Sequence, residues 1–127
     1  MQRIPTLVGV GGHFEGETFK LQYGKAHIVG RSRTVDFCLR RAAKYRALDQ
    51  KQKEADEAAQ TVSGKHFQIK MYNLGSIEIK NLSPNGTKLD GKIIETAVIS
   101  DVATKAHEIS FGLNEVLRLE MRAHEDD

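Results

Sequence analysis

The stretch VSGKHFQIK, residues 62–70, changes character at Phe67. From that residue onward apolar and polar side chains alternate, which predicts a half-buried β-strand. The start of this strand is unusual, because residues 63–66 combine a hydroxyl, a glycine, an ammonium and an imidazole. Functional groups concentrate in loops of this kind on a rigid β framework, so the cluster is a candidate binding loop.

Most of the chain shows the same pattern of short strands separated by turn residues. We predict strands at residues 6–10, 18–21, 26–29, 37–39, 67–71, 76–80, 87–89, 92–94, 109–111 and 117–121. Asp90-Gly91 lies between two of them and predicts a type I′ hairpin, in which both central residues need a positive φ. Many short strands at regular spacing predict an all-β sandwich or barrel.

The bulk composition predicts one domain spanning residues 1–127. The net charge is +2 and acids are interspersed with bases, so composition does not favour binding to nucleic acid or to a membrane surface. No apolar run approaches the roughly 18 residues of a membrane-spanning helix, and a signal peptide's long apolar core is not seen. The one cysteine, Cys38, has apolar neighbours, which predicts a buried thiol and an intracellular location, cytoplasmic or nuclear.

A helical insertion of approximately residues 40–60 interrupts the strand pattern. This segment, RRAAKYRALDQKQKEADEAAQ, is rich in strong helix formers and contains no Gly, Pro, Val, Ile or Thr. We predict one or two exposed helices, with a thin apolar stripe at Leu39, Ala43 and Ala47 and an internal capping box at residues 49–52. The insertion is either a solvated surface element or a helix that docks on the functional edge.

Three polar clusters, residues 30–33, 63–66 and 82–87, fall in connections between strands. They offer the planar donors of Arg31, the hydroxyl of Ser63 and the ammonium of Lys65, and they contain no carboxylate. This donor-rich, positive set suits a phosphoryl group, which has nearly two negative charges and three acceptor oxygens. By residue type alone, the same clusters are also compatible with plain turns and with a structural histidine at position 66.

The order of the motifs IVGRS, VSGKHFQI, IKNLSPNGTKLDGKII and EISFG resembles the forkhead-associated (FHA) domain. The resemblance covers essentially the whole chain apart from the insertion. It implies an all-β, FHA-like sandwich of about eleven strands, with the helical insertion between the strands preceding the phosphate-binding loop. It also implies recognition of phosphothreonine in peptides or partner proteins through loops at one end of the sandwich.

The resemblance implies a role for each matching residue. Arg31 would pair with the phosphate, Ser63 would hydrogen-bond to it, and Asn85 would hold the peptide backbone. The residues expected to bind the phosphopeptide are Arg31, Ser63, Gly64, Lys65 and Asn85. Structural support is expected from Gly30, His66, Gly86 and Thr87, with His66 tying the Ser63 loop to the Gly30 turn. The basic start of the insertion would add positive potential or contact residues that flank the phosphothreonine, through Arg33, Arg40, Arg41, Lys44 and Arg46.

Two departures from the family pattern affect the expected site. Gly64 stands where the family usually has Arg or Asn, so one side-chain contact to the ligand is lost. Pro84 replaces a common Ser or Thr, which removes a hydroxyl and an N–H. These departures leave open an alternative, an FHA-fold scaffold or oligomerisation module that binds partners without phosphate.

Other classes of function are disfavoured. Nucleotide-binding and hydrolase motifs are missing, because Gly9-Val10-Gly11-Gly12 is followed by Phe14 where G-x-G-x-x-G needs its last glycine. The five histidines show no metal-ligand spacing. We therefore predict no enzyme activity, no metal, no cofactor and no small-molecule substrate. Nucleic acid is an unlikely partner, because aromatic residues for base stacking are sparse, and the predicted function is phosphothreonine-dependent recognition in intracellular signalling or assembly.

Overall fold

Alternating apolar side chains form the inner faces of two packed β-sheets in the computed structural model, which describes residues 2–124. In the strand predicted from residues 62–70, the side chains of Phe67, Ile69 and Met71 are fully buried, while Gln68 and Lys70 between them are half-buried. The period-two prediction is therefore confirmed. Side chains from both sheets fill the interior between them, as in other sandwiches.

Eleven strands in two sheets are present within the described residues, which confirms the predicted sandwich of about eleven strands. The strands are β1 (Gln2–Gly11), β2 (Thr18–Lys20), β3 (Ala26–Gly30), β4 (Phe37–Cys38), β5 (Phe67–Asn73), β6 (Ser76–Asn81), β7 (Thr87–Leu89), β8 (Lys92–Ile94), β9 (Thr96–Ile99), β10 (His107–Phe111) and β11 (Glu115–His124). The helices are α1 (Ala43–Arg46), α2 (Gln50–Ala55) and α3 (Glu57–Gln60), with 3₁₀ helices at Gly12–Phe14 and Leu39–Arg41. Strand β9 is one that the sequence analysis did not identify.

The strand order brings distant loops to one end of the sandwich. One sheet has the order β2-β1-β11-β10-β7-β8 and the other β4-β3-β5-β6-β9, with antiparallel neighbours except for the parallel pair β3–β4. In the second sheet Phe67 pairs with both Val29 and Asn81, so the end of β3, the start of β5 and the end of β6 meet. Thr87 pairs with Phe111 in the first sheet. The loops after β3, before β5 and before β7 therefore share one end.

The insertion differs from its prediction in how it packs. It forms three short helices rather than one or two, and α1 and α3 have only four residues each. A helix of about one turn cannot present a stripe that repeats every four residues, and Ala43 and Ala47 are exposed. Ala42 and Ala59 are buried instead, together with Leu39. The predicted capping box at the start of α2 is confirmed.

Three further sequence predictions concern single features of the fold. Asp90 and Gly91 both have a positive φ, of 50° and 85°, as the predicted type I′ hairpin requires. Cys38 is buried, as predicted. Within residues 2–124, no helix is both long and apolar enough to span a membrane.

A histidine bridge closes the end of the sandwich opposite the clustered loops. The ring of His107 contacts Asp90 at 2.5 Å through Nδ1 and Asp101 at 2.6 Å through Nε2. Burial alone would lower the pKa of His107, but the hydrogen bonds to both carboxylates and their negative charges outweigh burial and raise the pKa above 6.5. Where both carboxylates are ionised, the bridge therefore stabilises the fold fully at a pH below 6.5, and this contribution is lost as pH rises through the folded-state pKa of His107.

Replacing His107 with glutamine is expected to lower the free energy of unfolding by on the order of 1 kcal/mol at about pH 6, and by less at about pH 9. Urea unfolding of the wild type and the variant over a pH series measures the difference in unfolding free energy. The other histidines are present in both proteins, so their effects cancel in this difference. A difference that stays constant or grows with pH would contradict the bridge.

Candidate functional site

The loop after β3 and the loop before β5 are held together by their backbones. Arg31 N–H donates to the carbonyl of Ser63 at 3.0 Å, and Ser32 N–H donates to the carbonyl of Gly64 at 3.1 Å. A Cβ atom on Gly30 would lie 2.2 Å from the carbonyl oxygen of Gly64. Position 30 must therefore be glycine because the two backbones approach too closely for any side chain, and this approach brings Arg31 next to Ser63.

Arg31 is half-buried and only part of its guanidinium is used within the protein. Its Nε donates to the carbonyl of Val62 at 3.0 Å, which fixes the plane of the group. Its terminal nitrogens have no acceptor among residues 2–124. The donor fork of Arg31 is therefore both oriented and available to a ligand.

Ser63 presents its hydroxyl beside a second, buried hydroxyl that the sequence analysis did not single out. The Oγ atoms of Ser63 and Ser83 are 2.6 Å apart, and Ser83 Oγ also accepts the N–H of Asn85 at 3.0 Å. Ser83 is 4% exposed. When Ser83 donates to Ser63, the hydroxyl hydrogen of Ser63 is free for an external acceptor. The only sequence signal for Ser83 was its place in the turn cluster 82–87.

The backbone between Ser63 and His66 adds two further donors. Within residues 2–124, the N–H groups of Gly64 and Lys65 donate to no acceptor. The side chain of Lys65 is exposed. Successive free N–H groups in a turn form a concave site for an anion. This turn therefore combines backbone donors with the hydroxyl of Ser63 and the ammonium of Lys65.

His66 is fully buried and spans two of the site loops. Its Nδ1 accepts the N–H of Ser63 at 3.0 Å, so its Nε2 carries the hydrogen and donates to the carbonyl of Gly86 at 2.8 Å. Burial lowers the pKa of His66 against the opposing effect of the Gly86 hydrogen bond, which keeps the ring neutral as this arrangement requires. The His66 ring thus joins the Ser63 loop to Gly86, and its backbone N–H donates to the carbonyl of Val29, next to Gly30, at 2.8 Å.

Asn85 sits at the outer edge of the same loops. Its side chain is exposed, and its Nδ2 donates to the carbonyl of Thr61 at 2.9 Å. Gly86 has a φ of 84°, which favours glycine at this turn position. Thr87 is buried and its hydroxyl donates to Asn81 Oδ1 at 2.8 Å. Nothing in the sequence signalled the role of Thr61 as the partner of Asn85.

The five basic residues expected to flank the site separate into two groups. Arg33, Arg40 and Arg46 line an open depression of about 680 Å³ next to Arg31. Arg41 also lines it, but its guanidinium donates to the carbonyls of the β3–β4 loop at 2.7 and 2.8 Å. Lys44 does not line the depression and instead pairs with Glu15.

Comparison with known proteins identifies the same fold and family. Residues 27–112 match the model of the FHA domain. No curated protein matches the chain significantly. The chain is similar to the FHA domain of the CT664 protein from Chlamydia trachomatis, with 24% identity, a TM-score of 0.63, and coverage of 94% of this chain and 98% of that one.

Two further solved structures are similar at lower identity, and all three likenesses, at identities under 25%, show the fold alone. The FHA domain of a hypothetical protein from Arabidopsis thaliana is 21% identical, with a TM-score of 0.68 and coverage of 99% of this chain and 92% of that one. The N-terminal FHA domain of Rad53p from S. cerevisiae is 17% identical, with a TM-score of 0.61 and coverage of 94% of both chains. That domain was solved in complex with a phosphothreonine peptide.

Replacing Gly30 with alanine is expected to lower the free energy of unfolding by about 1–3 kcal/mol, because the new methyl group would push the Ser63–Gly64 backbone away. Thermal unfolding measures the loss, and amide chemical shifts of residues 63–66 report the displaced loop. The matched control is Gly64→Ala, since a Cβ there meets only Ser32 Cβ at 3.6 Å. Equal effects of the two substitutions would contradict the close-approach explanation.

Proposed function

Because this chain belongs to the FHA domain family, whose members are protein–protein interaction modules, we propose that it binds phosphothreonine in a partner protein inside the cell. The phosphate would be held by Arg31, Ser63 and the turn at Gly64 and Lys65. Asn85 would hold the backbone of the bound peptide.

The observation that carries this proposal is the juxtaposition of unused donors from two separate loops. The free end of the Arg31 guanidinium comes from the loop after β3, and the free N–H groups of Gly64 and Lys65 come from the loop before β5. A phosphorylated side chain supplies three acceptor oxygens and nearly two negative charges, which matches this set of donors. A guanidinium binds such a group with two parallel hydrogen bonds.

Further support comes from the exposed amide of Asn85, which leaves its oxygen available next to the donors. The complex of the Rad53p FHA domain with a phosphothreonine peptide provides a precedent for the ligand class on a similar fold. The departures at Gly64 and Pro84 leave open the alternative function, a scaffold that binds without phosphate. The two functions differ in one measurable property, the dependence of binding on the phosphate.

In a peptide library with a central phosphothreonine, the protein is expected to select peptides that bind at least about tenfold more tightly than their unmodified forms, because hydrogen bonds to charged groups contribute roughly 1.5–3 kcal/mol each. Isothermal titration calorimetry with phosphothreonine, phosphoserine and unmodified versions of each selected peptide measures the effect. Arg31→Ala is expected to remove most of the phosphate-dependent gain, and Arg31→Lys part of it.

The control for these substitutions is Arg122→Ala, which removes a positive charge from the side chain of an exposed arginine on β11. Thermal unfolding checks that all variants are folded. Equal affinities for phosphorylated and unmodified peptides would contradict the phosphate-dependent function and favour the scaffold.

Restoring a side chain at position 64 is expected to strengthen phosphopeptide binding. Gly64 has an ordinary φ, and an added Cβ has room beside Ser32, so the backbone accepts a larger residue. Gly64→Arg should raise the affinity about threefold, the value of one exposed charged contact. Gly64→Ala is the matched control and should leave affinity unchanged; a rise of the same size for alanine would show that the arginine makes no contact.

A further inference from the structure

The depression beside Arg31 is strongly positive although the whole chain has a net charge of only +2. Among residues 2–124, six cationic residues line it and only one carboxylate, that of Glu54, does so. The carboxylate of Glu54 accepts the side-chain amide of Gln50 at 3.1 Å and forms no ion pair with the arginines. The positive charge of the depression is therefore not neutralised from within.

Three of these cations have no partner of their own. Among the described residues, the guanidinium groups of Arg33, Arg40 and Arg46 form no hydrogen bond or ion pair. All three side chains are exposed. Like charges gathered without counterions destabilise a folded chain by mutual repulsion. A bound anion would relieve this repulsion, and three planar donor groups suit a phosphate or a carboxylate.

The insertion that carries Arg40 and Arg46 is fixed to the sandwich. His13 Nε2 lies 2.8 Å from a carboxylate oxygen of Asp56, and the His13 ring contacts the Tyr45 ring edge-on. Lys44 pairs with Glu15 from the same turn after β1. These contacts from the β1–β2 connection hold the insertion as one wall of the depression, so the arginines do not depend on a freely moving helix.

The depression is continuous with the site for phosphothreonine. Arg31, Arg33 and Arg40 line both this depression and a second one, of about 410 Å³, which reaches Gly64. A peptide whose phosphothreonine contacts Arg31 and Gly64 therefore has the insertion-side depression directly beside it.

We propose that the insertion-side depression binds a second anionic side chain of the same partner, close in sequence to the phosphothreonine. This inference rests on the proposed function and adds a preference for doubly anionic partners. The second anion is a phosphorylated serine or threonine, or a carboxylate, since both present paired oxygens to a guanidinium. Arg46 is specific to this subsite, because it lines the insertion-side depression and not the one that reaches Gly64.

Nucleic acid is a poorer fit to the same charges. Base recognition on a positive surface needs aromatic faces on which bases can stack. Among the described residues, the one aromatic side chain that lines the depression is that of Tyr45. Lys53 Nζ lies 5.5 Å from the centroid of its ring, and the His13 ring also contacts it. This ring is therefore occupied by the protein itself.

The test is a set of synthetic peptides with a central phosphothreonine and one phosphoserine placed in turn at each position within about five residues on either side, a reach of about 17 Å in extended chain. Fluorescence polarisation compares each with the phosphothreonine-only peptide, and with peptides in which glutamate replaces the phosphoserine. At one or two neighbouring positions, the second phosphate is expected to raise affinity about tenfold and glutamate by less. The gain should shrink as salt increases.

Arg46→Gln is expected to reduce that gain about threefold, while Arg122→Gln, with the same change of charge on β11, leaves it intact. Arg46→Gln should also leave the thermal stability of the free protein unchanged or slightly raise it, because it removes an unpaired like charge. The thermal stability measurement shows whether a smaller gain in affinity is due to unfolding of the variant or to a lost contact with the second anion.

Three results would overturn the inference. If phosphothreonine-only peptides bind and a second anion raises the affinity at no position, the second subsite is excluded and the proposed function is retained. A gain that Arg122→Gln reduces as much as Arg46→Gln shows only a general charge effect. Failure of every phosphothreonine peptide removes both proposals, and binding of a single-stranded oligonucleotide that depends on Arg46 would then assign the depression to nucleic acid.

Discussion

The site depends on one steric constraint, the contact of two backbones at Gly30. Gly30 carries no Cβ atom, so its backbone can lie against the carbonyl of Gly64. The loops after β3 and before β5 can therefore form two direct backbone hydrogen bonds. Those bonds place a guanidinium from one loop beside a hydroxyl from the other. The relative position of Arg31 and Ser63 is therefore set by main-chain bonds rather than by flexible side chains.

The second element of the arrangement is a neutral histidine that joins the two sheets. His66 enters the core at the start of β5 and accepts from Ser63 on one side while donating to the carbonyl of Gly86, just before β7, on the other. Only the neutral ring can do both, since a protonated ring has no acceptor atom. Its burial, which lowers the pKa, therefore serves the loop geometry directly. Ser63 thereby leaves its hydroxyl, and not its backbone, to interact with Ser83 and with a ligand.

The strands and turns of this protein could be predicted from its sequence better than the contacts within its candidate site. Strands such as β5 could be predicted because their alternation follows directly from burying one face, and the Asp90-Gly91 turn because positive φ restricts residue type. Strand β9 was missed because a four-residue edge strand, with partial burial, carries almost no periodic signal.

Contacts within the candidate site join residues that are far apart in the sequence. The hydrogen bond between Ser83 and Ser63 spans 20 positions and the one between Asn85 and Thr61 spans 24, so only the folded backbone brings these residues together. The insertion was predicted as helical from composition, but it is divided into short helices at Asp49 and Asp56, whose side chains cap the starts of α2 and α3.

The sandwich and the insertion make different physical contributions to the site, backbone geometry and positive charge. The sandwich supplies rigid main-chain geometry, which requires glycine at position 30 and a buried histidine at position 66, and therefore tolerates little change. The insertion contributes to the core mainly through Ala42 and Ala59, next to Leu39, and those of its exposed positions that make no contact can vary in charge without loss of packing. Arg40 and Arg46, which have no partner among the described residues, lie on the part of the insertion that lines the depression beside Arg31, where their charge attracts an approaching anion. Under the proposed function, the charge of the insertion can thus change while the steric contact at Gly30 keeps Arg31 beside Ser63.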